Sequence, residues 1–181
     1  YTRYLTDVAF IHARRDDPDS VGLMHYHNAH RWSGGGSPSH TLLSGILCDY
    51  YLTGDRRQLD VALEMGEWIV SHQEKAGILS CRAGTLHREF TGPLWSLLEL
   101  YQATWEERFG LLARRSLTWL LEALGQPPEY PVSVYTRGTR GDEAVVEPAT
   151  WPTGNARELY YLYQIAWRLF PSDRLRQRIL A

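Results

Sequence analysis

The stretch Leu42-Leu43-Ser44-Gly45-Ile46-Leu47-Cys48-Asp49-Tyr50-Tyr51-Leu52-Thr53-Gly54-Asp55 decides how the rest of the chain is read. Leu42, Leu43, Ile46, Leu47, Tyr50 and Tyr51 recur at spacings of three and four, the stripe of an amphipathic helix. Ser37 stands where an N-cap belongs, Pro38 suits a first helical residue, and Gly54 stops the helix. Asp55 then caps a second helix. Its buried stripe is Leu59, Ala62, Leu63, Gly66, Ile69 and Val70, and it ends near Gly77. The unit is a helical hairpin.

The same unit recurs downstream. Pro93 to Thr104 forms a helix around Leu94, Leu97, Leu98 and Tyr101, with Leu111 to Leu124 as its partner. A third begins near Asn155, where Glu158 completes a capping box, and runs through Leu159, Leu162, Tyr163, Ala166 and Trp167. A short helix follows from Asp173. Tyr101-Gln102-Ala103-Thr104-Trp105 is echoed by Tyr163-Gln164-Ile165-Ala166-Trp167, and Trp68 by Trp119, both late in a second helix. Each hairpin has an apolar face that needs its neighbours. Two connecting segments read differently. Gly77 to Leu86 is turn-like. Val132 to Tyr135, a Gly-rich turn over 136–142, and Ala144 to Val146 form a small β-hairpin. The expected fold is therefore all-α over residues 1–181: three antiparallel helical hairpins with a β-hairpin in one loop.

Composition excludes several classes of function. Of 181 residues, 44% are hydrophobic and 22% charged, the balance of a globular protein rather than a disordered or fibrous one. A formal charge of −2 supplies no field for nucleic acid or an anionic membrane. The apolar runs fall well short of the ~20 residues of a membrane span, and no signal-peptide pattern is visible. Cys48 and Cys81 prescribe neither a metal motif nor a disulfide framework. Only Lys75 among the 19 basic residues is lysine, so the cations are planar arginine forks suited to carboxylates. Eleven Tyr and seven Trp against four Phe favour the aromatics that pair a dry face with a polar handle. Most of these, Trp68, Trp105, Trp119 and Trp167 included, are expected in the packing between hairpins. Trp32 and Trp151 lie in loops and are the candidates for stacking on a sugar.

In stacked hairpins the first helices run in one direction, so their N-termini gather at one end. Three sets of residues are expected there: the segment His25 to His40, then His87, Arg88 and Glu89, and finally Tyr135, Arg137, Trp151 and Asn155. His40, His87, Tyr135 and Arg88 are the candidate catalytic groups. His27, Asn28, His30, Arg31, Trp32, Glu89, Arg137 and Trp151 are the candidate substrate contacts. Plainer roles stand beside these: His40 as a helix cap, Arg88 and Glu89 as a surface pair. His25, His27 and His30 have a metal-like spacing but no prescribed carboxylate or cysteine partner, so neither metal nor cofactor is favoured. Gly34-Gly35-Gly36 lacks a P-loop lysine and a preceding strand, which argues against a nucleotide. No Gly-x-Ser-x-Gly elbow supports a serine nucleophile.

His40 to Leu47, Tyr50-Tyr51-Leu52-Thr53-Gly54-Asp55 and Trp68 together resemble a segment of the α/α-toroid carbohydrate-active proteins. The nearest likeness is to the exo-type rhamnogalacturonan lyase-like family. It covers residues 22–72 well and 87–125 loosely, and speaks for fold more than for activity. The resemblance implies a partial (α/α) toroid and an oligo- or polysaccharide partner. It also implies cleavage of uronate glycans by β-elimination, with Arg31, Arg88 or Arg137 holding the carboxylate and His40, His87 or Tyr135 moving the proton. A glycoside hydrolase using Glu89 with Asp142, Glu143 or Glu147 is the enzymatic alternative. A non-catalytic helical-repeat module binding through Trp32 and Trp151 is the other. The toroids it resembles close into a full ring. Three hairpins in a chain opening on Tyr1 are therefore expected to belong to a larger chain, or to subunits that associate.

Overall fold

The structure, a computed structural model, describes residues 2–13, 18–25, 36–40, 42–73, 88–123, 133–140, 143–152 and 156–180. It is mostly helical. A short helix α1 (Thr2–Tyr4) runs into a π-helical turn (Leu5–Ala9). Three helix pairs follow: α2 (Ser44–Thr53) with α3 (Arg56–Ser71), α4 (Arg88–Thr104) with α5 (Glu107–Ala123), and α6 (Ala156–Leu169) with α7 (Asp173–Leu180). Between α5 and α6 lie two antiparallel strands, β1 (Ser133–Arg140) and β2 (Glu143–Pro152). They are longer than the sequence pattern indicates, and pair Arg140 with Glu143 and Thr136 with Glu147. Their register slips between Ser133 and Tyr135, beside Pro148, which has no N–H for the ladder.

The turns show a true repeat. After α2, Gly54 adopts a left-handed φ of +72° and its N–H closes on the Tyr50 carbonyl at 2.8 Å. After α4, Trp105 does the same at φ +57°, bonding the Tyr101 carbonyl at 2.7 Å. In each turn a threonine hydroxyl accepts the second following N–H: Thr53 from Asp55 at 3.1 Å, Thr104 from Glu106 at 3.2 Å. These positions are 51 apart, as are Trp68 and Trp119. In the third pair the corresponding bond runs from the Phe170 N–H to the Ala166 carbonyl. Phe170, not Trp167, is thus the partner of Trp105, and the echo of Tyr101–Trp105 in Tyr163–Trp167 is three residues out of register. Trp105 is also no core residue: its place in the turn leaves it 64% exposed.

The middle pair carries the core. Leu94, Leu97, Leu98 and Leu100 are fully buried on α4, which packs against α2, α3, α5 and α6. Gly66 lets α3 approach closely, since a Cβ there would collide with Leu100 and the Phe109 ring. Asp55 caps α3 as expected, accepting the Arg57 N–H at 3.1 Å. Besides α5, which opens at Glu107 rather than Leu111, two starts differ from the sequence reading. Pro38–His40 is a separate 3-10 turn packed on α4, and α2 begins only at Ser44 with Leu43 before it. The reason is tertiary: the Ser37 N–H bonds the Met24 carbonyl at 3.0 Å, so the segment follows its neighbour rather than the helix axis. The other is α4, which begins at Arg88, so that Pro93 lies inside it and Arg88 and Glu89 sit in its first turn rather than in a loop.

A polar clip holds the N-terminal segment on α3. His12 places Nδ1 2.6 Å from Glu64 Oε2 and Nε2 2.6 Å from the Thr6 carbonyl. Arg57 Nε donates to Asp7 Oδ1 at 3.1 Å.

Candidate functional site

The order of contacts shows how α2, α4 and α6 lie. Ser44 meets Glu99 and Tyr51 meets Gln102; Trp95 meets Tyr161 and Glu99 feels Arg168. Sequence position rises together on all three helices, so they run side by side in one direction with α4 in the middle. Trp95, Glu99 and Gln102 are spaced by four and three, which puts them on one face of α4. Ser44 and Tyr51 on α2, and Tyr161 and Arg168 on α6, are each two turns apart and flank that face.

Glu99 is its centre. The Ser44 hydroxyl donates to its carboxylate at 2.8 and 2.9 Å, and the Trp95 indole N–H at 2.9 Å. The Trp95 ring stacks on Tyr161, with centroids 5.8 Å apart and planes 18° from parallel. Burial pushes the Glu99 pKa up to about 7, overcoming the opposing pull of Ser44, Trp95 and the Arg168 charge. Tyr51 is raised as well, first by burial and then by the Glu99 charge, while its bond with Gln102 lowers it. A carboxyl that changes protonation near neutrality, held by two fixed donors beside stacked aromatic faces, is equipped to exchange a proton with a bound ligand.

A groove of about 560 Å³ runs along α6 and α7, lined by Gln164, Trp167, Arg168, Arg176, Ile179 and Leu180. Arg168 belongs to both places: it lines the groove and acts on Glu99.

The residues expected from the sequence are distributed otherwise. His40 lies in the 3-10 turn, its Nδ1 3.1 Å from the Ser37 hydroxyl. This gives Ser37 a partner in that turn rather than the role of cap to α2. His25 is tied by its backbone, in a bridge to Gly36 and a bond to the Ala9 carbonyl. His27, Asn28, His30, Arg31, Trp32 and His87 lie outside the described residues, as do Asp142 and Asn155. For Arg88 and Glu89 the backbone is placed in the first turn of α4; for Tyr135 and Arg137, in β1; for Glu143, Glu147 and Trp151, in β2. Among the described residues, no group of three or more His, Cys, Asp or Glu is arranged to hold a metal ion, and no helix is long and apolar enough to cross a membrane.

Glu99, Trp95, Tyr161 and Arg168 do not stand out in a reading built on loops and helix starts. One signal does exist: Glu99 is the lone charge within Leu97-Leu98-Glu99-Leu100-Tyr101, and Trp95 and Gln102 share its face. Compared with family models, curated proteins and solved structures, the chain finds no match.

Proposed function

We propose that this chain is the helical, partial α/α-toroid part of a carbohydrate-active enzyme that cleaves uronate-containing glycans by β-elimination. The toroid reading is supported by the side-by-side, same-direction order of α2, α4 and α6, the arrangement that the first helices of a ring of hairpins adopt. The observation that carries the activity is the Glu99 carboxyl, held by Ser44 and Trp95 where those helices meet. Trp95 with Tyr161, and Tyr51 across from them, offer the aromatic planes on which a pyranose ring stacks. Arg168 holds the uronate carboxylate and stabilises the charge that gathers there as the C5 proton leaves. Ionised Glu99 takes that proton. The C5–H electron pair becomes the C4–C5 double bond, the C4–O bond breaks, and the proton passes from Glu99 to the departing oxygen.

Elimination fits better than a hydrolase built on two carboxylates. There, a second acid beside Glu99 would act on it by repulsion. Among the described residues, the charge that acts on Glu99 is instead the cation Arg168, which pulls its pKa down. His40 and the loop residues 27–32 and 87 remain candidates for further contacts along the glycan.

The test is incubation with rhamnogalacturonan and other uronate polymers, following the ultraviolet absorbance of the unsaturated product. The expected result is turnover that rises with pH through about 7 and is lost in Glu99→Gln. Reducing ends without unsaturated sugar would replace elimination by hydrolysis. Binding without turnover, unchanged by Glu99→Gln, would reduce the protein to a sugar-binding module.

A further inference from the structure

Among the described residues, Trp105 is the one non-glycine with a left-handed backbone, at φ +57°. A bulky side chain is strained there. The chain itself supplies the comparison. Gly54 makes the same turn after α2, closed by the same carbonyl and threonine bonds, and a Cβ on Gly54 would meet nothing within 4 Å. The turn is therefore complete without a side chain. Burial does not call for one either, since Trp105 is 64% exposed. Strain at a surface position that neither the turn nor the core requires points to a contact made outside the chain.

The indole is held firmly. It meets the Tyr101 ring nearly edge-on, with centroids 5.3 Å apart and planes 67° from parallel. Tyr101 is itself buried, stacked on Phe170 at 5.7 Å and packed so closely over Gly110 that a Cβ there would strike its ring. The surroundings of the exposed indole are polar. Glu106 and Glu107 follow it directly, and Arg108 bonds Glu106 at 2.8 Å and Glu67 at 2.6 Å, with all of these side chains partly or largely in solvent. A stable protein interface needs about 800 Å² on each partner around an apolar centre. One indole bordered by charge falls short of that, and matches a single sugar ring: the C–H face lies on the indole, and the hydroxyls reach the charged rim. Two carboxylates directly after the indole, and an arginine already engaged by two more acids' worth of contacts in Glu106 and Glu67, favour a ring without a carboxylate of its own.

We propose that Trp105 is a stacking platform for a neutral sugar ring, a glycan-holding site separate from Glu99. The left-handed turn projects the indole, Tyr101 fixes its angle, and Glu106 and Arg108 supply the acceptors and donors at its edge. This inference takes from the proposed function only the class of ligand, and it uses none of the residues around Glu99.

Affinity electrophoresis tests it, in gels cast with soluble galactan, arabinan, xyloglucan or dextran, and with polygalacturonate as the acidic comparison. The chain is expected to be retarded by at least one neutral polymer. Trp105→Gly should weaken that binding by about tenfold or more. Trp105→Leu should lose it as well, because an apolar side chain without a flat face cannot stack, whereas Trp105→Tyr should keep most of it. In urea, Trp105→Gly should unfold at a concentration equal to or above that of wild type, because glycine suits the left-handed position. A lower midpoint for Trp105→Gly would make the indole a structural group and overturn the proposal. So would retardation by no neutral polymer, by polygalacturonate alone, or to the same degree in wild type and Trp105→Gly. Self-association in sedimentation velocity that Trp105→Gly abolishes would make the surface a protein contact instead. Trp105-dependent retardation with no turnover of any glycan leaves this proposal standing and removes the elimination; elimination with Trp105-independent binding does the reverse.

Discussion

Replacing Glu99 with Gln should make the protein more stable above neutral pH while removing the proposed lyase activity. A carboxyl whose pKa rises from 4.5 to about 7 on folding binds its proton more tightly in the folded state. The folded form therefore gains from this group below the unfolded pKa, and the gain is lost as pH climbs from 4.5 to about 7. At about 1.4 kcal/mol per unit of pKa, the span amounts to about 3 kcal/mol, reduced to about 2 by residual solvent contact. Glutamine has no proton to lose, and its amide oxygen still accepts from Ser44 and Trp95. Urea denaturation near pH 5 and near pH 8 measures the effect. Near pH 5 the two proteins should match within about 1 kcal/mol. Near pH 8 the variant should exceed wild type by about 2 kcal/mol. Other carboxylates titrate in both proteins alike, so the difference between their two pH slopes isolates Glu99. Parallel curves would refute the reasoning: the carboxyl would then be no more costly to ionise in the fold than in the unfolded chain.

Arg168→Ala should raise the Glu99 pKa further, because the cation that favours its charged form is gone; the rising limb of a pH–rate profile would move to higher pH and KM would increase. Gly66→Ala should destabilise by about 1–3 kcal/mol in thermal or urea unfolding, since the new methyl meets Leu100 and Phe109 in a packed core. Asp55→Ala should cost about 1 kcal/mol through loss of the α3 cap, and Asp55→Asn should recover most of it. Glu64→Ala should cost about 1–2 kcal/mol by freeing His12 from α3, with earlier proteolysis of the N-terminal segment as the local readout.

Much of the helical frame was legible because its causes are local. The three- and four-residue spacing of Leu43 to Tyr50, and of Leu59 to Val70, needs only that one side of a helix be dry; Leu42, which precedes the helix, and Tyr51 lie exposed, off that side. Asp55 after Gly54 announces a stop and a start within two residues, and both occur. The misplaced boundaries have nonlocal causes. Ser37 is a good cap by type, but its backbone is held by Met24, which no local rule contains. Trp105 resembles a core tryptophan by spacing, yet it occupies the left-handed turn position that Gly54 fills in the first pair, and so points to solvent.

The Glu99 site was harder to see, for a reason that follows from the fold. Its parts lie on helix faces, not in loops or at helix starts, and come from three elements far apart in sequence. The fourth-residue spacing of Trp95 and Glu99 could be read from the chain. That Ser44 would meet them from one side, and Tyr161 and Arg168 from the other, depends on the order in which the helices pack. So does the burial that lifts the Glu99 pKa. By itself, the sequence determined that there would be helices, roughly where they begin and end, and that they would pair, because periodicity and caps act over a few residues. Which helices became neighbours and which polar side chain was trapped between them were decided only by tertiary packing, because those outcomes depend on surfaces that meet after the chain has folded.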